Sequence, residues 1–248
     1  MNTNSLSEYL FDHLVIIGRD SLDNLSQKFS DSGFQLTPLA RHNLGSINRL
    51  IMLNSSYIEL LGWEKGERPK RVEIADQPIG LDAIVFRTND AEACFQKLQY
   101  DGFSVNPVQA LSRECEYKKE KVLVEFKTVR LQEQPIPGLR IYFCEHLTPS
   151  YVWQKQWQEH ENQMTCLQKL NIATPDPIYV TNQLIKLLNL KPHHAIMDNN
   201  ISQIILSNIE LSIHPSTLTK MPTEITSIFL SKNHQDPVGF TLNKNFFN

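Results

Sequence analysis

One phrase in this chain returns, and its return limits what the chain can fold into. Phe11-Asp12-His13-Leu14-Val15-Ile16-Ile17-Gly18 leads into an amphipathic helical stretch, and Tyr57-Ile58-Glu59-Leu60-Leu61-Gly62 closes the unit. Gly80-Leu81-Asp82-Ala83-Ile84-Val85-Phe86-Arg87 restarts it, and a fainter copy begins near Leu167 and ends at Asn208-Ile209-Glu210-Leu211. Repeats decide architecture before any local reading does. The period is too long for a solenoid and suits duplicated βαβββ modules, whose sheets pair around a concave pocket.

In the first module, the short β-branched run 11–17 predicts a strand. Asp20 or Ser21 is placed to cap a helix whose apolar positions Leu22, Leu25 and Phe29 keep helical spacing, and Gly33 stops it. Strands are expected at 35–39, 48–53 and 56–61, followed by a polar connection over 63–79. The second module predicts a strand at 81–87, a helix over about 90–100, and strands near 104–112, 121–131 and 139–144. Residues 1–150 are therefore read as one pair of modules (about 9–62 and 80–146). Residues 151–248 are read as a crossover, a third module with a helix around 178–190, and a truncated fourth.

The charge balance narrows the partners. A formal net charge of −3 and a pI near 6.2 leave no footprint for nucleic acid or an anionic membrane. No apolar run approaches the roughly 20 residues that span a bilayer. The first ten residues show no secretory pattern. Cys94, Cys115, Cys144 and Cys166 are scattered without a CxxC, which reads as free thiols. The expected location is cytoplasmic. The expected partner is a small-molecule substrate or ligand, with a homodimer as the assembly to look for.

Two ionisable residues sit where apolar ones are expected. His13 lies mid-strand between apolar alternates, and Glu59 lies between Ile58 and Leu60. Such groups are costly in a buried strand unless paired, hydrogen-bonded or metal-bound. On neighbouring strands they would form half of a divalent-metal site, or a satisfied buried pair. Asp82, Glu145 and His146 are the candidates for completing the ligand set, while the third copy carries Lys169 and Glu210 instead. A loop with Arg41, His42, Gly45 and Asn48 can bind a carboxylate or another polar group, and Arg113 and Arg130 can line the same pocket. The alternative for that loop is a solvated turn; either way, replacing His42 or Asn48 is expected to leave stability nearly intact.

FDHLVIIGRDSLD, LARHNLGSINRLIML and SYIELLG, followed by GLDAIVFRTND, FKTVRL and PGLRIYFCEHLTP with Trp153 and Trp157, resemble the glyoxalase-like branch of the vicinal-oxygen-chelate superfamily. The resemblance covers roughly residues 9–162. It implies an α+β fold of paired βαβββ modules forming a half-open mixed β-barrel with helices outside. It also implies a divalent metal (Zn, Mn, Fe or Ni) held by inward side chains from the first and last strands of each module. His13 and Glu59 match those ligand positions in the first module, with His146 the candidate from the second. The second module departs from the His/Glu pattern.

Two readings follow. In one, a metal-dependent enzyme of lyase, isomerase or dioxygenase type acts on a small oxygenated substrate, with His13 and Glu59 catalytic and Arg41, His42, Asn48, Arg113 and Arg130 binding substrate. In the other, a metal-free protein of the same fold binds or sequesters a small molecule. The incomplete ligand set favours the second reading and the retained His13/Glu59 pair the first, toward which the balance leans.

Overall fold

The computed structural model describes residues 9–67, 69, 71–198, 200–216, 222–233 and 238–247. The first module opens with β1 (Leu10–Arg19), whose run of apolar, mostly β-branched residues is buried along nearly its whole length. Helix α1 (Leu22–Asp31) buries Leu22, Leu25 and Phe29 on one face. Ser21 is its N-cap residue but makes no side-chain capping bond. Strands β2 (Ala40–Arg41), β3 (Ile47–Met52) and β4 (Tyr57–Gly62) complete the unit.

The strand expected over 35–39 does not form. Pro38 has no N–H to give a ladder, and Thr37 takes over part of that role. Its N–H donates to the Leu50 carbonyl, and its hydroxyl accepts from Leu50 N, both at 2.9 Å.

The connection to the second module carries a single helical turn, α2 (Val72–Ala75). Then come β5 (Gly80–Arg87), α3 (Ala91–Tyr100), β6 (Gln109–Tyr117), β7 (Glu120–Arg130) and β8 (Arg140–His146). Asp90 caps α3 by accepting from Ala93 N at 2.9 Å. Strand β6 starts later than its expected 104, because Pro107 interrupts the ladder and leaves Val105 in an isolated bridge to Leu131.

The first sheet has the order β2-β3-β4-β1-β5-β8-β7-β6. β1 pairs parallel with β4, β5 pairs parallel with β8, and β1 meets β5 antiparallel, so the two modules repeat one pairing scheme across that central seam. The outer edges nearly meet. His42 bridges Arg113, and Asn43 N donates to the Ser112 carbonyl at 3.0 Å. A mixed, almost closed barrel results.

Alternation decides which residues enter this barrel. Val15, Ile17, Leu50, Met52, Tyr57, Leu61, Val85, Phe126 and Tyr142 belong to the interior cluster. Phe11, Leu14, Ile16, Ile58, Leu60, Ile84 and Phe86 face the other way, into a core shared with α1 and α3.

A short turn, α4 (Pro149–Val152), starts the crossover. The third module comprises β9 (Cys166–Thr174), α5 (Pro177–Leu187), β10 (Ala195–Asp198), β11 (Ile201–Leu206) and β12 (Ile209–Pro215). A final hairpin of β13 (Glu224–Ser231) and β14 (Gly239–Asn243) joins β9 to make the sheet β10-β11-β12-β9-β13-β14. Here Lys169 and Glu210 are register partners that form a part-exposed ion pair of 3.0 Å. The apolar core is continuous from the first module into this sheet.

Candidate functional site

The site is built on an irregularity in β1. The register of β1 against β5 slips between Phe11 and His13, so Asp12 is an extra, bulged residue. A bulge breaks strict alternation and re-aims side chains. Two adjacent residues thereby approach each other: His13 Nδ1 lies 2.7 Å from Asp12 Oδ2.

Asp12 is wholly buried. Its Oδ2 also accepts from His146 Nε2 at 2.9 Å, and its Oδ1 accepts from Arg87 Nε at 2.6 Å. Burial pushes the Asp12 carboxyl up, but His146 and His13, acting through charge and hydrogen bonds, override it and hold the group well below its ordinary range. An ionised carboxylate only accepts, so His13 Nδ1 carries a proton and donates to it. Its Nε2 then faces the Tyr142 hydroxyl at 3.3 Å and Glu59 Oε2 at 3.6 Å. Tyr57 stacks on the ring at 4.4 Å between centroids and fixes its plane.

Glu59 reaches the same point from β4. Its Oε1 accepts from Asn48 Nδ2 at 2.7 Å. Burial opposes ionisation, yet the charges of His13 and His42, the Asn48 bond and Arg71 keep the carboxyl below its usual range. His42 hydrogen-bonds Ser46 Oγ through Nδ1 at 3.0 Å and presents Nε2 to Asn48. Burial lowers the His42 pKa to about 4; Glu59 opposes this and Arg113 adds to it. His42 is therefore neutral at pH 7.

The loop residues divide. His42 and Asn48 turn inward and are buried, at 7% and 2% exposure, so this part of the loop is not a solvated turn, and replacing either is expected to cost stability. Arg41 points out, 65% exposed, and pairs with Glu64 at 2.8 Å. Arg130 stands behind Tyr142, with its guanidinium 5.2 Å from the ring centre and an ion pair to Glu73. Arg113 is buried and lines the pocket together with His13, His42, Asn48, Glu59 and Tyr142.

The second-module ligand candidates lie elsewhere. Asp82 sits at the second register slip of β5 and pairs with Arg140. Glu145 accepts from Ala91 N at the start of α3. His146 bonds Asp12 rather than Glu59. In register, Val15 pairs with Glu59 while Val85 pairs with Tyr142, which puts Tyr142 where the second module would have carried its carboxylate.

His13 and Glu59 thus remain two ligands. Among the described residues no third His, Cys, Asp or Glu donor lies within 4.8 Å of both. Catalytic zinc sites use three protein ligands, so this donor set does not fit a metal at the family's position. A separate trio, Asp12, Cys144 and His146, does bring its donor atoms within 4.8 Å of one another. The Nδ1 of His146 is buried with no hydrogen-bond partner.

The inner pocket is small, about 30 Å³. A larger groove of about 260 Å³ runs beside it, lined by Leu39, Cys115, Tyr151, Gln154 and Trp157 among others. Arg113 lines both. Sequence reasoning did not single out Asp12 or Tyr142 as site residues. A carboxylate directly next to a strand histidine was the available signal for Asp12; for Tyr142 it was the repeat, which sets Tyr142 or Cys144 at the position of Glu59.

A family model described as a glyoxalase-like domain matches residues 11–188. Among solved structures, a hypothetical protein from Staphylococcus aureus is 20% identical, with a TM-score of 0.69 over 85% of this chain and 87% of that one. A variant of 4-hydroxymandelate synthase from Streptomyces coelicolor is 8% identical, with a TM-score of 0.50 over 87% of this chain and 65% of that one. A fusion of a xylose isomerase-like TIM barrel with 4-hydroxyphenylpyruvate dioxygenase is 11% identical, with a TM-score of 0.53 over 93% of this chain and 39% of that one. At these identities the likeness concerns the fold. No curated protein matches the chain.

Proposed function

This chain belongs to the glyoxalase-like domain family of the vicinal-oxygen-chelate superfamily, and on that premise we propose that it is an enzyme that moves a proton on a small oxygenated substrate, in the manner of an isomerase or lyase. The observation that carries the reading is the buried Asp12–His13 bond, which orients the ring with Nε2 toward a pocket. A carboxylate in that place orients the ring and stabilises the imidazolium once it forms.

In this mechanism His13 Nε2 takes a proton from carbon next to a carbonyl, and the electron pair moves onto the carbonyl oxygen. Burial raises the Tyr142 hydroxyl above its ordinary range. It therefore stays protonated and can donate to the oxygen as charge develops. Return of the proton to the neighbouring carbon isomerises the substrate; loss of a leaving group instead gives elimination.

The test is exchange of α-protons in heavy water, followed by proton magnetic resonance, across small 2-oxo and 2-hydroxy acids and hydroxyketones. Wild-type protein should catalyse exchange on at least one of them, and His13→Gln should abolish it. Absence of exchange across the set, with binding retained, would support the sequestering reading instead.

A second reading rests on the Asp12, Cys144 and His146 donors. Oxygen, sulfur and nitrogen in that combination suit zinc, which would supply Lewis-acid or structural support there. Arg87 already holds the same carboxylate. Metal analysis of freshly purified protein separates the two readings.

A further inference from the structure

We propose that the groove beside the barrel takes a small carboxylic acid whose carboxylate pairs with Arg113. The proposal rests on the proton-transfer reading only for the orientation of the substrate and stands on its own observations for the binding. Arg113 is 5% exposed. No ion pair or side-chain hydrogen bond to it is found among the described residues. The neighbouring arginines each hold a carboxylate: Arg71 and Arg130 share Glu73, with Arg71 Nη2 left buried and unpartnered, and Arg140 holds Asp82. The charge of Glu59, which lines the same inner pocket, favours the Arg113 cation, but among the described residues it forms no ion pair with it. A buried cation without a contact partner is expensive. It is retained where a ligand supplies the missing charge, and guanidinium matches a carboxylate in two parallel hydrogen bonds.

Position agrees with charge. Arg113 lies on β6 at the bridge to His42 that closes the barrel, and it belongs to the walls of both the groove and the His13 pocket. A carboxylate held there would place the adjacent carbon toward His13, while Leu39, Tyr151, Val152 and Trp157 offer apolar surface to the rest of the molecule. Glu114 and Glu116 also line the groove, but both are exposed, and Glu116 stands opposite Lys121 across the hairpin. Solvent screens these rim charges far more than the buried guanidinium. A small aromatic or branched acid fits this combination of one buried cation and an apolar wall.

The experiment is calorimetric titration of the full chain with benzoate and phenylacetate, against benzamide and phenylacetamide. The acids should bind at least about tenfold more tightly than their amides, the gain expected of a charge-assisted bond. Arg113→Met should erase that preference, and Arg113→Lys should keep part of it. Because the methionine variant removes an unmatched buried cation, its melting temperature should not fall, so a folding failure will not mask the result. Equal binding of acids and amides by the wild type, no binding of either acid at millimolar concentration, or an undiminished preference in Arg113→Met would each overturn the proposal. The readout needs no turnover. Acid binding without proton exchange would sink the enzymatic reading and leave Arg113's role intact.

Discussion

The side chain of Asn208 holds both backbone polar groups of Phe11, donating to its carbonyl at 2.7 Å and accepting from its N–H at 3.1 Å. Asn208 sits at the turn between β11 and β12 in the second sheet, and Phe11 immediately precedes the bulged Asp12. The second sheet is thus tied to the strand position from which the Asp12–His13 pair is aimed.

Asn208→Ala should remove both bonds and leave two buried backbone groups unpaired, a loss of about 2–4 kcal/mol. Chemical denaturation would measure it. The same variant should weaken proton exchange per folded molecule if the bond positions the bulge. Exchange that is unchanged in the folded fraction would mean that Asn208 serves stability alone.

Asp12→Asn should act on two quantities at once. The neutral amide no longer stabilises an imidazolium, so turnover should fall by about 10²-fold or more. Arg87, which loses its carboxylate partner, should bring a stability loss of about 3 kcal/mol. Nitrogen chemical shifts of His13 would report whether Nδ1 still carries the proton, and an unchanged tautomer with full activity would remove Asp12 from the mechanism.

Acid should destabilise the protein in a window set first by His42. Its folded pKa, about 4, lies below the 6.5 of an ordinary histidine. The unfolded chain therefore binds the proton first, and the stabilisation present above 6.5 is lost as pH falls toward 4. The full loss is on the order of 3 kcal/mol. Asp12 and Glu59, also lowered, act in the more acidic window below their own ordinary values. Urea midpoints at about pH 7.5 and about pH 4.5 should separate widely in the wild type and less in His42→Gln. Equal separation in both proteins would contradict the assignment.

Arg41 and Asn48 should part company on substitution, although one loop supplies both. Arg41→Ala removes an exposed pair with Glu64 and should change stability by no more than about 0.5 kcal/mol, with ligand affinity unaffected. Asn48→Ala strips Glu59 of its 2.7 Å donor inside the barrel and should cost about 1–3 kcal/mol. Thermal unfolding of the two variants side by side decides this.

The repeat, the strand–helix order and the inward placement of His13 and Glu59 were legible in the residues, because they follow from period-2 and period-3.6 patterns within single elements. The family was legible too, since its motifs are contiguous phrases. Interruptions at Pro38 and Pro107 moved strand edges that periodicity alone placed too early. What the residues in order did not disclose is which side chains share a charge. Asp12 became the centre of the site through a one-residue register slip against β5, and Tyr142 entered it through parallel pairing of β5 with β8. Arg41 turned to solvent while His42, next to it, turned in. Among the described residues Arg113 makes no ion pair, while Glu73 and Asp82 pair with other arginines. Each of these depends on which strand lies beside which and in what register, and burial then sets the ionisation of groups far apart in the chain.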